Sequence, residues 1–128
     1  MTKTKQTKSF SGEKVGRLSY SIAKEIGKKC ADIYISKSYL RHIEIHHGSQ
    51  LSSLGFTALT YVRTIARGFN QIRKGSDDSL LLVVFTSEDK NADVAAISLV
   101  YDNDGDFWQV KTAQPRSWRA VSKKEKLW

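Results

Sequence analysis

The stretch DVAAISLVYDNDGDFWQVKTA, residues 93–113, decides the fold class. Residues 93–102 and 107–113 read as two strands. Between them, Asp104–Gly105 is the dipeptide that tight hairpin turns favour, because glycine takes a positive φ without steric cost. Just upstream, LLLVVFT (80–86) is apolar without interruption, the mark of a central strand covered on both faces. Earlier, ADIYIS (31–36) alternates, with Ile33 and Ile35 facing one way, Tyr34 the other, and Ser36 ending the run. Beyond Pro115, RSWRAVSKKEKLW reads as a short edge strand or turn followed by a basic end.

Helical periodicity occupies the first half. Leu18, Ile22 and Ile26 recur at i, i+4 and i+8, predicting a helix near 18–29. Ser36 or Ser38 can cap a second through KSYLRHIEIHH, ended by Gly48. A third is expected over roughly 53–74, where Leu59, Val62, Ile65, Ala66, Phe69 and Ile72 form an apolar stripe. The expected fold class is therefore α+β: N-terminal helices packed on one face of a mostly antiparallel, about four-stranded sheet. Residues 1–14, rich in Lys, Thr and Ser with almost no apolar content, read as a disordered basic arm. Residues 15–128 read as a single domain.

Composition narrows the function classes. The 128-residue chain carries 21 Lys and Arg against 13 Asp and Glu, a net charge of +8. That excess favours polyanionic partners, nucleic acid first, with an anionic membrane or an acidic protein behind it. A single cysteine, Cys30, excludes an internal disulfide and the multi-cysteine zinc modules. The apolar run at 80–85 is far shorter than a membrane span, and the basic N-terminus lacks the apolar block of a signal peptide. A cytoplasmic protein without membrane insertion is expected. No glycine-rich phosphate loop points to nucleoside-triphosphate chemistry.

All three histidines, His42, His46 and His47, fall in RHIEIHHG (41–48). At about 100° per residue, His42 and His46 share a helix face one turn apart, about 40° from each other. His47 lies about 140° from His42 and nearer the inward side of Leu40 and Ile43, unless the helix ends at His46 and Gly48 re-aims it. The i, i+4 spacing is that of HExxH zinc sites, but Glu44 projects elsewhere and no second cluster offers a third ligand. No metal or other cofactor is expected. Two imidazoles titrating near pH 6.5 can instead divide acid and base roles. Attack of a ribose 2′-OH on its own phosphodiester needs such a pair, plus cationic or hydrogen-bonding groups for the phosphorane charge. Lys111 and Thr112, with Arg116 just beyond, are candidates. An ordinary surface helix with solvated histidines is the plain alternative.

DIYISKSYLRHIEIHHG, followed by a long helix, an apolar strand and FWQVKTA, resembles the phage-associated branch of the barnase–EndoU–colicin–RelE-like (BECR) nuclease toxins. The resemblance covers about residues 31–114: a strand ending in IS, a helix with H-I-x-x-x-H-G, and a closing strand with a V-K-T-like segment. It implies helices against a four-stranded antiparallel sheet and metal-independent RNA cleavage leaving a 2′,3′-cyclic phosphate. An acidic immunity or antitoxin protein would be the usual partner. His42 and His47 match the helix histidines, and Lys111 and Thr112 the final-strand polar pair. Relatives often carry lysine where this chain has His46. The wheel thus pairs His42 with His46, and the motif pairs it with His47.

Five further residues are candidate RNA contacts. Arg63 and Arg67 lie one turn apart, off the apolar stripe of the third helix, and could track phosphates. Trp118, flanked by Arg116 and Arg119, could stack an unpaired base. A non-catalytic basic module that binds RNA or an acidic protein, such as a small phage-encoded inhibitor, is the alternative from another class.

Overall fold

A computed structural model describes residues 12–86 and 91–128. The elements run β1 (Gly12–Leu18), α1 (Tyr20–Ile26), β2 (Ala31–Ser36), α2 (Lys37–Ser53), α3 (Ala58–Gly68), β3 (Gln71–Lys74), β4 (Leu80–Val84), β5 (Asn91–Val100), β6 (Phe107–Ser117) and α4 (Trp118–Val121). The chain is α+β, with helices packed on a sheet as expected. That sheet is mixed and six-stranded rather than about four-stranded, in the order β1-β2-β6-β5-β4-β3. Neighbouring strands are antiparallel except β2 and β6, which run parallel.

Both unexpected strands lie where local pattern misleads. Residues 12–14, assigned to the disordered arm, begin β1, and the rest of that arm lies outside the described residues. Leu18, read as a helix start, closes β1; Ser19 then caps α1, and Gly27 ends it at φ 71°. At the end of α3 the apolar period runs on to Ile72, but the chain leaves the helix at Phe69. Asn70 explains the switch. Its side-chain amide accepts from the Phe85 N–H at 2.9 Å and donates to the Phe85 carbonyl at 2.8 Å, starting the β3–β4 ladder.

Helix α2 passes through Gly48, where the sequence predicts its end. A mid-helix glycine costs only about 1 kcal/mol. The turn beyond it places Leu51, which is fully buried, beneath the helix beside Ile43, and such burial contributes about 1.5–3 kcal/mol. The actual stop is a Schellman motif at Gly55 (φ 88°), with Phe56 N–H on the Leu51 carbonyl and Gly55 N–H on that of Ser52. Thr57 and Thr60 then form a reciprocal capping box for α3.

Helices α1, α2 and α3 cover one face of the sheet. Ile43, Leu51, Val62 and Ile65 pack there on Ile33, Ile35, Leu80, Leu82, Ile97 and Val110. The other face carries a smaller cluster, Leu81, Val83, Ala92 and Val94 beneath Val121 of α4. Gly16 lets α3 approach β1, since a Cβ there would meet the Ala66 carbonyl oxygen at 2.9 Å. The β3 edge is covered by backbone hydrogen bonds to the terminal segment, which limits edge-to-edge association there. The terminal segment lies along β3, with Ile72 N–H on the Trp128 carbonyl and Lys74 N–H on that of Glu125. Along β1, Arg67 Nε donates to the Val15 carbonyl at 3.2 Å.

Candidate active site on the second helix

Because α2 continues past Gly48, all three histidines stay on one regular wheel. His42 and His46 are exposed, and their ring centroids are 4.4 Å apart with planes tilted by 48°. His47 is half-buried on the side of Ile43 and Leu51, its ring 6.4 Å from that of His46. Burial, followed by the like charges of His46 and His42, holds the His47 imidazole below its ordinary pKa. The geometry therefore brings His42 together with His46 and turns His47 inward.

Lys111 comes to the same helix by way of an irregularity in β6. Across β5, Thr112 opposes Ala96 and Val110 opposes Ile97, leaving Lys111 as the extra residue of a β-bulge. Bulges re-aim side chains in this way. The ammonium donates to the Tyr39 hydroxyl at 2.9 Å and lies 4.7 Å from the centre of that ring. Tyr39 precedes His42 by three residues and His46 by seven, so the three share one stripe of α2. Sequence reasoning passed over Tyr39; its spacing from His42 was the available signal.

Thr112 does not join them. Its cross-strand partner Ala96 packs with the cluster beneath α4, so the Thr112 hydroxyl lies on the sheet face away from α2. The bulge interrupts the alternation at Lys111, which reaches α2 beside Val110; alternation resumes beyond it, with Thr112 opposing Ala96 on the far face and Ala113 back in the core under the helices.

The expected RNA contacts are dispersed. Arg63 pairs with Glu13 of β1 at 2.7 Å, and its buried Nε has no hydrogen-bond partner among the described residues. Arg67 holds the Val15 carbonyl. Both therefore fasten α3 to β1. Arg116 opposes Ala92 on the face away from α2, and Arg119 is exposed on α4 over that same face. Trp118 is not an open stacking platform: Phe85 lies 4.1 Å from it, centroid to centroid, and the Arg73 guanidinium 5.1 Å from its ring.

Among the described residues, no three or more His, Cys, Asp or Glu side chains are grouped to hold a metal ion. No helix among them is long and apolar enough to cross a membrane. Comparison with protein-family models, curated proteins and solved structures returned no match. The α2 stripe carries the candidate chemistry: two adjoining imidazoles, one turn from a phenol that carries an ammonium. That set can accept a proton, donate one, and receive negative charge.

Proposed function

We propose that this protein is a metal-independent endoribonuclease of the toxin type, BECR-like in architecture, with its active site on the exposed stripe of α2. The observation that supports this reading is the 4.4 Å approach of the His42 and His46 rings, one turn beyond the Tyr39–Lys111 pair. One neutral imidazole takes the proton of the ribose 2′-OH as that oxygen attacks phosphorus. The other, protonated, gives its proton to the departing 5′-oxygen. The products are a 2′,3′-cyclic phosphate and a 5′-hydroxyl, and the two rings exchange protonation states. Both rings are exposed, so rotation about χ1 can spread them to bracket a phosphate entering from solvent. Lys111 meets the charge that builds on the non-bridging oxygens. Thr112 has no part in this scheme, and His47 supports the helix instead of partnering His42. Action in the cytoplasm, restrained by an acidic inhibitor, accompanies the reading.

Incubation of purified protein with RNA, with and without EDTA, tests it by end-mapping. Cyclic-phosphate ends that persist in EDTA and vanish in H42A are expected; intact RNA at high protein concentration would retire the enzyme. A second reading, a polyanion-binding module without catalysis, draws on Arg116 and Arg119, which lie across the sheet from the histidines. It predicts RNA binding that R116A/R119A weakens, with no cleavage.

A further inference from the structure

We propose that Tyr39 and Lys111 form a paired phosphate receptor, with Tyr39 a direct ligand-contacting residue and not merely a packing partner. The proposal rests on the ribonuclease reading for the identity of the anion as a phosphodiester.

Lys111 is half-buried, and no carboxylate of the described residues lies within ion-pairing distance of its ammonium. Its one side-chain hydrogen bond among them is to the Tyr39 hydroxyl. Tyr39 belongs to the first turn of α2, a 17-residue helix whose first turn contains no acidic residue. Helical side chains lean toward the N-terminus, so the phenol carries the ammonium toward the positive end of the helix dipole. An ammonium in that place, half-buried and with no counter-ion among the described residues, favours the approach of an anion. The hydrogen-bond arithmetic agrees. The phenol oxygen accepts from Lys111 Nζ, so the phenol keeps its own proton to donate outward, and the ammonium retains two more. His42 and His46 continue the same stripe. Donors lined along one stripe of the helix suit the several oxygens of a phosphate group.

A plain structural role would make the contact a staple between α2 and β6, and the two roles separate by experiment. Inorganic phosphate is titrated at low ionic strength into wild type, Y39F, K111Q and K111R. Histidine ring resonances and calorimetry report binding, and thermal unfolding is measured in parallel. Wild type is expected to bind saturably with shifts at His42 and His46. Y39F should weaken binding about 3- to 10-fold and K111Q at least about 10-fold, with K111R recovering part of the loss. Unfolding midpoints should move little. Phosphate that leaves the histidine resonances unmoved would overturn the proposal. So would a Y39F protein that binds as wild type, or one that fails to fold. Wild type that binds phosphate yet leaves RNA intact would retire the ribonuclease and leave the receptor standing.

Discussion

The imidazole rings of His42 and His46 stand 4.4 Å apart, one turn from each other on the exposed side of α2, while His47 turns half-buried toward Ile43 and Leu51. Adjacency in sequence would pair His46 with His47, and motif spacing would pair His42 with His47. The helix does neither, because the wheel continues unbroken through Gly48 to Ser53.

The first prediction separates the histidines by activity. H42A and H46A should each lower the initial rate of RNA cleavage by at least about 100-fold, the scale of a lost general acid or base. Because both side chains are exposed, stability should change by about 0.5 kcal/mol or less. H47Q should keep its rate within about tenfold of wild type. An inactive H47Q beside an active H46A would reverse the assignment.

His47 should instead appear in the pH dependence of stability. Its pKa is depressed in the folded protein, chiefly by burial, so below pH 6.5 the unfolded chain takes up this proton before the folded one does. The contribution of the neutral ring is therefore complete above pH 6.5 and is lost as pH falls through the depressed folded value. Chemical denaturation from pH 8 to 4 should show H47L with a shallower acid slope than wild type. Parallel slopes would refute the assignment.

Arg73 should be the cation that matters most for stability. It is buried, donates to the Lys124 carbonyl at 2.8 Å and the Ser122 carbonyl at 3.4 Å, and covers Trp118. R73M should cost about 1–3 kcal/mol, since it removes a charged donor that ties β3 to the Ser122 and Lys124 carbonyls of the terminal segment. Faster hydrogen exchange at the Ile72 and Lys74 amides should accompany the loss, because those amides donate to Trp128 and Glu125 of the terminal segment.

Gly16 should tolerate no side chain. A Cβ would lie 2.9 Å from the Ala66 carbonyl oxygen and 3.0 Å from its Cβ, so α3 would have to move off β1. G16A should lower stability by about 1–3 kcal/mol in denaturant titration. G68A, where an added Cβ meets nothing within 4 Å, is the control and should be neutral or slightly stabilising.

Much of the helix layer was legible because it is local. Val62, Ile65 and Ala66 recur with the helical period and are buried as that period demands. What failed were the boundaries. Ile72 fits the helix period of α3 equally well, and only the pairing of Asn70 with Phe85 draws it into a strand. β1 carries just Val15 and Leu18 as apolar side chains, too few to announce a strand before β2 is there to pair with it. Arg63 and Arg67 looked free for phosphates because their partners, Glu13 and the Val15 carbonyl, lie fifty residues or more away in the chain.

By itself, the sequence determined the α+β class, the β5–β6 hairpin, in which Gly105 adopts φ 123°, and the shared helix face of His42 and His46. These depend on backbone preferences and periodicity within a few residues. Only the tertiary structure decided the sheet order, the parallel contact of Ile33 with Trp108, and the bulge that turns Lys111 toward Tyr39 while Thr112 faces away. Those features arise where residues distant in the chain must share one ladder and one core. No local pattern records which partner a strand will find, or where it must slip by one residue to keep its apolar face inward.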